Sequence, residues 1–307
     1  MNVVLVADGS PAVGAGHQVR LAALAEHLVA RGHRALLVAA DVAGSPHSWA
    51  WRGLEHELWP GTEPAADAAA RIAHAIGADW LVIDHYGIDG RALERLASLV
   101  AVLVVDDVPG RDLAAARLVL NQNVGVVAGE YPGDALVGPE HALLRRPFAA
   151  GPGEPPGDDV AVMLGGTDAS GLTGRVCRTL VAAGFPVFAI SGGGIDDLPP
   201  GVAMHRGADA QTLARLLRGA RAAVVAAGSS VYELLALGVP FVALHLVANQ
   251  DRIARGLIER RLAPVIAAAA IDRLPALVAG LRRGASPAID GRGADRVIDE
   301  MERRCHA

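Results

Sequence analysis

The sequence predicts an α/β protein built from two open parallel sheets in tandem, each covered by helices. Three observations carry this prediction. Short apolar strands alternate with helical patterns along the 307 residues. Each half opens with a strand that runs into a glycine-rich loop and then a helix. In the first half, Val3–Val6 leads into Asp8-Gly9-Ser10 and Gly14-Ala15-Gly16-His17; in the second, Val160–Leu164 leads into Gly165-Gly166-Thr167-Asp168. Between the halves lies a Pro- and Gly-rich stretch, 150–159, with the composition of a linker.

In the first half the expected strands are Val3–Val6, Arg34–Val38, Trp80–Ile83, Val102–Val105 and Leu118–Leu120. The expected helices are Gln18–Ala30, Ala65–Ile76 and Gly90–Leu99. The strands are continuous Val, Leu and Ile runs, as strands covered on both faces are. The first helix keeps Leu21, Leu24, Ala25 and Leu28 on one face. In the second half the strands are Val160–Leu164, Val187–Ile190, Val202–His205, Ala222–Ala226 and Phe241–Leu244. Its helices are Leu172–Ala183, Ala210–Leu217, Val231–Leu237, Gln250–Arg260 and Ile271–Arg282. The expected division is a first domain at 1–149, the linker at 150–159, a second domain at 160–290, and a terminal segment, 291–307, whose helix packs back on the first domain. Both domains read as Rossmann-like. Open sheets of this kind bind ligands beyond the carboxyl ends of their strands, so a cleft with the two domains facing each other is the expected site.

Composition removes several classes of function. Hydrophobic residues make up 52% of the chain and charged residues 20%, which suits a large core and excludes disorder. Aromatics are only 4% and the net charge is −5, so neither a base-stacking surface nor a basic footprint exists, and no nucleic-acid partner is expected. The two cysteines, Cys177 and Cys305, exclude a disulfide framework or a cysteine zinc site and suit a reducing cytoplasm. The chain starts on a strand, without the basic n-region of a signal peptide. It lacks an uninterrupted apolar run of about eighteen residues. A cytoplasmic protein without an integral membrane segment is expected; the oligomeric state is left open.

The candidate chemistry lies in the loops. His17 stands at a helix N-terminus, behind glycines that let another molecule approach the backbone. Such a terminus attracts anions and disfavours positive charge, so the expectation is a depressed imidazole pKa and a neutral general base. That points to a phosphate-bearing substrate. The loop is not a dinucleotide fingerprint, since Gly14-Ala15-Gly16-His17-Gln18-Val19 lacks the third glycine and no Walker lysine follows; a plain tight turn is the alternative. Gly166 and Thr167 could cradle a phosphate, or Thr167 or Asp168 could cap the next helix. In the stretch Ala227 to Pro240, the small residues Gly228, Ser229 and Ser230 would let a pyrophosphate meet free amides. Glu233, one turn further, would accept ribose hydroxyls; a serine cap with a dipole-complementing carboxylate is the alternative. Asn249 and Gln250 suit sugar hydroxyls or amides, or an asparagine cap. Asp84 and Tyr86 end one strand and could line the same cleft, with His85 structural. Asp106-Asp107 ends another strand; a loop cap is expected there in preference to a metal site.

These motifs together resemble a known group. Asp8-Gly9-Ser10 with Gly14-x-Gly16-His17-x-x-Arg20, Asp84-His85-Tyr86, Asp106-Asp107, Asn121-Gln122-Asn123, Gly138 to Arg145, Leu164 to Asp168, Gly228 to Pro240 and Asn249-Gln250 occur in an order similar to that of the UDP-sugar hydrolase family of pseudaminic acid biosynthesis, within the GT-B glycosyltransferase superfamily. The resemblance covers most of the chain. It implies a GT-B fold and inverting hydrolysis of UDP-2,4-diacetamido-2,4,6-trideoxy-β-L-altropyranose to UDP and free sugar, with no metal and no cofactor. It makes His17 the base that activates water. It places UDP on the second domain, with Gly166 and Thr167 near phosphate, Gly228, Ser229 and Ser230 at the pyrophosphate and Glu233 on ribose. Asp8, Gly16, Tyr86, Asn249 and Gln250 complete the substrate-binding set. Two positions depart from the pattern: Val6 stands where the family carries arginine, and Asp168-Ala169-Ser170-Gly171 replaces Asp-Pro-x-Asn. The alternative activity is glycosyl transfer, in which His17 deprotonates an acceptor hydroxyl. A nonenzymatic nucleotide-sugar-binding module and an epimerase are further readings.

Overall fold

The computed structural model describes residues 1–9, 15–42, 50–131, 133, 135–149, 156–166, 168, 170–282 and 289–305. The chain forms two compact units, Met1–Arg146 with Arg292–Ala307, and Pro147–Gly291.

In the first unit, β1 (Asn2–Ala7), α1 (Gly16–Ala30), β2 (Arg34–Asp41), β3 (His56–Pro60), α2 (Ala65–Ile76), β4 (Trp80–Asp84), α3 (Gly90–Ala97), β5 (Ala101–Val105), β6 (Leu118–Asn121) and β7 (Ala135–Val137) follow one another. The seven strands run in the order β3-β2-β1-β4-β5-β6-β7. All described pairings are parallel, with Val6 opposite Val38 on one side and Ile83 on the other. Val3–Ala7 are completely buried, because β1 lies mid-sheet with helices on both faces.

The second unit repeats the plan with β8 (Val160–Met163), α4 (Thr173–Ala182), β9 (Val187–Ser191), β10 (Ala203–Arg206), α5 (Ala210–Gly219), β11 (Ala222–Ala226), α6 (Ser230–Leu237), β12 (Phe241–His245), α7 (Asp251–Glu259), β13 (Val265–Ala267) and α8 (Leu274–Gly280). Its strand order is β10-β9-β8-β11-β12-β13. In both sheets the order reverses beside the first strand, between β1 and β4 and between β8 and β11. At such a reversal the following connections leave in opposite directions and open a crevice at the carboxyl ends.

Three strands escape the sequence reading: β3, β7 and β13. All three are sheet edges, exposed or half-exposed over most of their length, and so lack the apolar run that marks central strands. Pro60 fits an edge, where its missing N–H is harmless. The helix expected over Ile271–Arg282 is a 3₁₀ segment, Ala268–Arg273, followed by α8, with Pro275 in the first turn of α8 where proline is accepted.

The chain ends in α9 (Gly293–Cys305), which belongs to the first unit. Ala294, Val297, Ile298 and Met301 are fully buried in that unit's core. Asp295 of α9 meets Nδ1 of His27 on α1 at 3.0 Å. Gly293 lies so close to the Ala142 carbonyl that a Cβ would overlap it. Gly293→Ala is therefore expected to lower unfolding stability by about 1–3 kcal/mol, read as a lower urea midpoint with an unchanged slope. No described helix is long and apolar enough to cross a membrane.

Candidate active site

The first unit gathers its polar side chains at the crevice beside β1. The β1 loop and α1 deliver His17 and Arg20, three residues apart and therefore on one face of the helix. Strand β4 ends in Asp84, its loop carries Tyr86, and the loop after β5 carries Asp106 and Asp107. His17, Arg20 and Asp84 are all buried.

His17 Nδ1 lies 2.5 Å from Asp84 Oδ1 and 3.2 Å from the Asp84 carbonyl oxygen. Both partners only accept hydrogen bonds, so Nδ1 carries the proton and Nε2 is left with a lone pair. Nε2 makes no hydrogen bond among the described residues. The Tyr86 ring stands edge-on to the imidazole, with centroids 4.9 Å apart.

Arg20 anchors the carboxylate from behind. Its Nε donates to Asp84 Oδ2 at 2.5 Å and its Nη2 to Asp84 Oδ1 at 2.6 Å. The same guanidinium donates to both oxygens of Asp107, at 2.9 and 2.7 Å. Asp107 also accepts from Tyr86 Oη at 3.0 Å and Asn123 Nδ2 at 2.9 Å. Its neighbour Asp106 accepts from Arg111 at 3.0 Å and Tyr131 Oη at 2.8 Å. The pair of carboxylates is thus committed to arginine, hydroxyl and amide donors. Among the described residues no group of His, Cys, Asp and Glu could hold a metal ion.

The electrostatics correct one expectation. A helix N-terminus acting alone would depress His17, but its pKa is raised: burial pulls it down, and the charge and hydrogen bond of Asp84 more than reverse that. A carboxylate in direct contact outweighs the partial charges of a helix end. Asp84 itself is held well below the usual carboxylate range, because Arg20 and His17 overcome the opposing effect of burial. Asp107 is lowered as well, with burial again opposed chiefly by Arg20. His85 is lowered by burial.

The signs define a pH dependence. A raised histidine stabilises the fold fully below its unfolded value, about 6.5, and that stabilisation is lost as pH rises through the folded value. Depressed carboxylates stabilise above about 4, and that contribution is lost as pH falls further, through their folded values. Were neutral His17 to act as a general base, kcat/KM would climb as pH rises through a value above about 6.5, opposite to its stabilising effect. A pH–rate profile together with melts across the same window checks both signs.

Of the residues at this end of the sheet, Asp8 is half-buried; its amide donates to the Asp84 carbonyl at 2.9 Å, which ties the β1 loop to β4. At Gly16 a Cβ would point into open space. Ser10 and Gly14 lie outside the described residues.

In the second unit the loops after the neighbouring strands β8, β11 and β12 carry the other candidates. Gly166 accepts at its carbonyl from the Gly192 amide at 2.6 Å. Thr167 lies outside the described residues. The amides at the start of α4 are met by Asp168, through Leu172 N at 3.3 Å and Thr173 N at 3.1 Å. The loop thus supplies its own anion to that helix end. Helix α6 differs. Gly228, Ser229 and Ser230 are half-exposed, its N-cap Ser229 makes no side-chain cap bond, and a Cβ at Gly228 would meet open space. Glu233 sits in the first turn, buried among Val231, Tyr232, Leu234 and Leu235. Asn249 is exposed; Gln250 Oε1 accepts from the Leu246 amide at 2.8 Å, so it holds the β12 turn closed.

These two sheets, each with its polar loops at a strand reversal, have well-defined counterparts. MurG of Acinetobacter baumannii superposes with a TM-score of 0.65 at 16% identity, over 99% of this chain and 100% of that one. The spinosyn rhamnosyltransferase SpnG, complexed with thymidine diphosphate, gives 0.64 at 17% identity over 99% and 96%. The Streptomyces sp. SF2575 glycosyltransferase SsfS6, also with thymidine diphosphate, gives 0.64 at 16% identity over 99% and 96%. The fold is GT-B. In sequence, this GT-B chain is 24% identical to the spore coat polysaccharide biosynthesis protein SpsG of Bacillus subtilis (strain 168), over 97% of this chain and 96% of the relative. No protein-family model matches it.

Sequence reasoning singles out His17 without its partners. Arg20 enters there only as part of a motif, and Asp84 and Asp107 only as strand-end carboxylates. The signal that joins them is the i, i+3 spacing of His17 and Arg20 together with acidic residues closing two strands that the sheet makes neighbours.

Proposed function

We propose that this protein acts on a nucleoside-diphosphate sugar and transfers the sugar to an acceptor hydroxyl, with His17 as general base. The observation that carries this is the buried His17–Asp84 pair, which holds an imidazole with Nδ1 protonated and Nε2 available. Such a base takes the proton of an attacking oxygen as it bonds to the anomeric carbon, while the nucleoside diphosphate leaves with the bonding electrons. A single direct displacement inverts the anomeric centre. The leaving group's charge needs fixed donors, which this reading assigns to the open start of α6 at Gly228, Ser229 and Ser230, with Glu233 on the ribose. The start of α4, already met by Asp168, is not assigned this role. Asn249, Asp8, Gly16 and Tyr86 are assigned to the sugar. The thymidine diphosphate bound by SpnG and SsfS6 and the polysaccharide-related name of SpsG support a nucleotide-sugar substrate.

A specific observation favours an acceptor over water. Tyr86, Val108 and Val127, on the loops after the adjacent strands β4, β5 and β6, are 40%, 58% and 60% exposed. Large apolar side chains exposed on three loops at the end of the sheet that carries the base suit an acceptor with an apolar body; water needs none. The resemblance to UDP-sugar hydrolases supports the second reading, hydrolysis of a UDP-linked diacetamido-trideoxy sugar by the same base.

The test is incubation with UDP- and dTDP-sugars, including UDP-2,4-diacetamido-2,4,6-trideoxy-β-L-altropyranose, with and without hydroxyl acceptors, followed by mass spectrometry. Transfer predicts a glycosylated acceptor and nucleoside diphosphate, with formation slowed about 10²- to 10⁴-fold in His17→Ala. Equal release of free sugar without acceptor establishes hydrolysis instead. Undiminished turnover in His17→Ala overturns the assignment of the base.

A further inference from the structure

We infer that Arg20 and Asp107 are positioning residues that set the proton affinity and orientation of His17 through Asp84. The inference rests on reading His17 as the base and adds to it a four-residue charged group.

The geometry is specific. The Arg20 guanidinium uses one edge on both oxygens of Asp84 and another on both oxygens of Asp107. A planar fork bonded twice on each side cannot rotate without breaking two hydrogen bonds, so it fixes the plane of the Asp84 carboxylate. The Asp84 plane in turn fixes the direction of His17 Nδ1–H. Asp107 is held from its far side by Tyr86 Oη and Asn123 Nδ2. Lysine at position 20 would supply the charge without the fork.

The charge count gives the device its chemical meaning. Two carboxylates and one guanidinium leave one net negative charge while His17 is neutral. Proton uptake by His17 brings the buried group to neutrality. A buried cluster gains most from the protonation state that cancels its charge. Arg20 alone would oppose protonation of His17, and Asp107 offsets part of that opposition. The other groups around His17 are His85 and Tyr86 on the β4 loop and Asp8 on the β1 loop; Arg111 lies beyond the Tyr86 ring, 6.0 Å from its centroid, and is paired with Asp106.

The test needs no substrate. The His17 imidazole is titrated by nitrogen-15 NMR in the wild type, Asp107→Asn, Arg20→Gln and Arg20→Lys, with thermal melts alongside. Asp107→Asn is expected to lower the His17 midpoint by roughly half to one pH unit, and Arg20→Gln to raise it by a similar amount. Arg20→Lys is expected to keep the midpoint and the Nδ1–H tautomer near those of the wild type and to loosen the Asp84 carboxylate, read as a broadened or lost Nδ1–H proton resonance. Asp107→Asn keeps the shape and one acceptor for Arg20, so it carries the test if Arg20→Gln fails to fold. Midpoints that stay put, or move together in one direction, overturn the inference. The opposed shifts with full turnover in His17→Ala would leave the charged group standing and remove the catalytic reading. A His17-dependent reaction with unmoved midpoints would do the reverse.

Discussion

Asp84→Asn is expected to slow turnover by about three to four orders of magnitude, comparable with loss of the orienting carboxylate in other histidine-dependent sites. Donors and acceptors decide the outcome. Asp84 Oδ1 accepts from both His17 and Arg20, and Oδ2 accepts from Arg20 Nε. An asparagine amide has one acceptor and one donor. With its oxygen toward His17, its NH₂ faces Arg20 Nε–H. With its NH₂ toward His17, Nδ1 must accept, the proton moves to Nε2, and the lone pair that would take the acceptor proton is gone. Either way Arg20 keeps its ion pair with Asp107, but one of its buried N–H groups is left facing an amide NH₂ where Asp84 had offered an acceptor, and stability is expected to fall by about 1–3 kcal/mol. The two effects separate experimentally. Rates are measured well below the variant's melting point, and nucleotide affinity is measured in parallel, since the residues proposed for the nucleotide lie on the other unit. A variant that stays folded and binds nucleotide with a rate near that of the wild type would refute the role of the pair.

The part of the molecule legible in the sequence is the part whose burial is uniform. Val3–Val6, Trp80–Ile83 and Ala222–Ala226 are apolar throughout because both faces of each strand are covered, and the structure places all of them mid-sheet. His56–Pro60 and Ala135–Val137 are edges whose side chains meet solvent, so their residues carry no comparable signal. In the candidate site, His17 is legible because glycines and a helix start surround it. Its chemistry is not, because the decisive neighbour is 67 positions away in sequence. Strand order alone brings Asp84 beside the β1 loop. The same limit gives the wrong sign for the His17 pKa: a helix end is visible locally, whereas a carboxylate delivered by β4 is not. Asp168 shows the converse. Its capping of α4 spans only four and five residues, so it stands among the readings that local sequence allows.

Glu233→Gln and Gly228→Ala are expected to weaken nucleoside diphosphate binding for different reasons. Glu233 lies in the first turn of α6 with only 9% of its surface exposed. The proposed role has this carboxylate accept from ribose hydroxyls, and charge-assisted hydrogen bonds of this kind are worth about 1.5–3 kcal/mol. Glutamine keeps one acceptor and turns a donor toward the second hydroxyl, so the dissociation constant is expected to rise about 10- to 100-fold. Gly228 has no left-handed φ, and a Cβ there meets no described heavy atom within 4 Å beyond its chain neighbours. Alanine should therefore leave the melting temperature unchanged and crowd only what binds above the helix start. Calorimetric titration of UDP and dTDP into the wild type and both variants decides the matter. Reduced affinity in Gly228→Ala with an unchanged melting temperature would show that the space at α6 is used by ligand. Full affinity in both variants would move the nucleotide elsewhere, and the loop after β8 would become the next place to look.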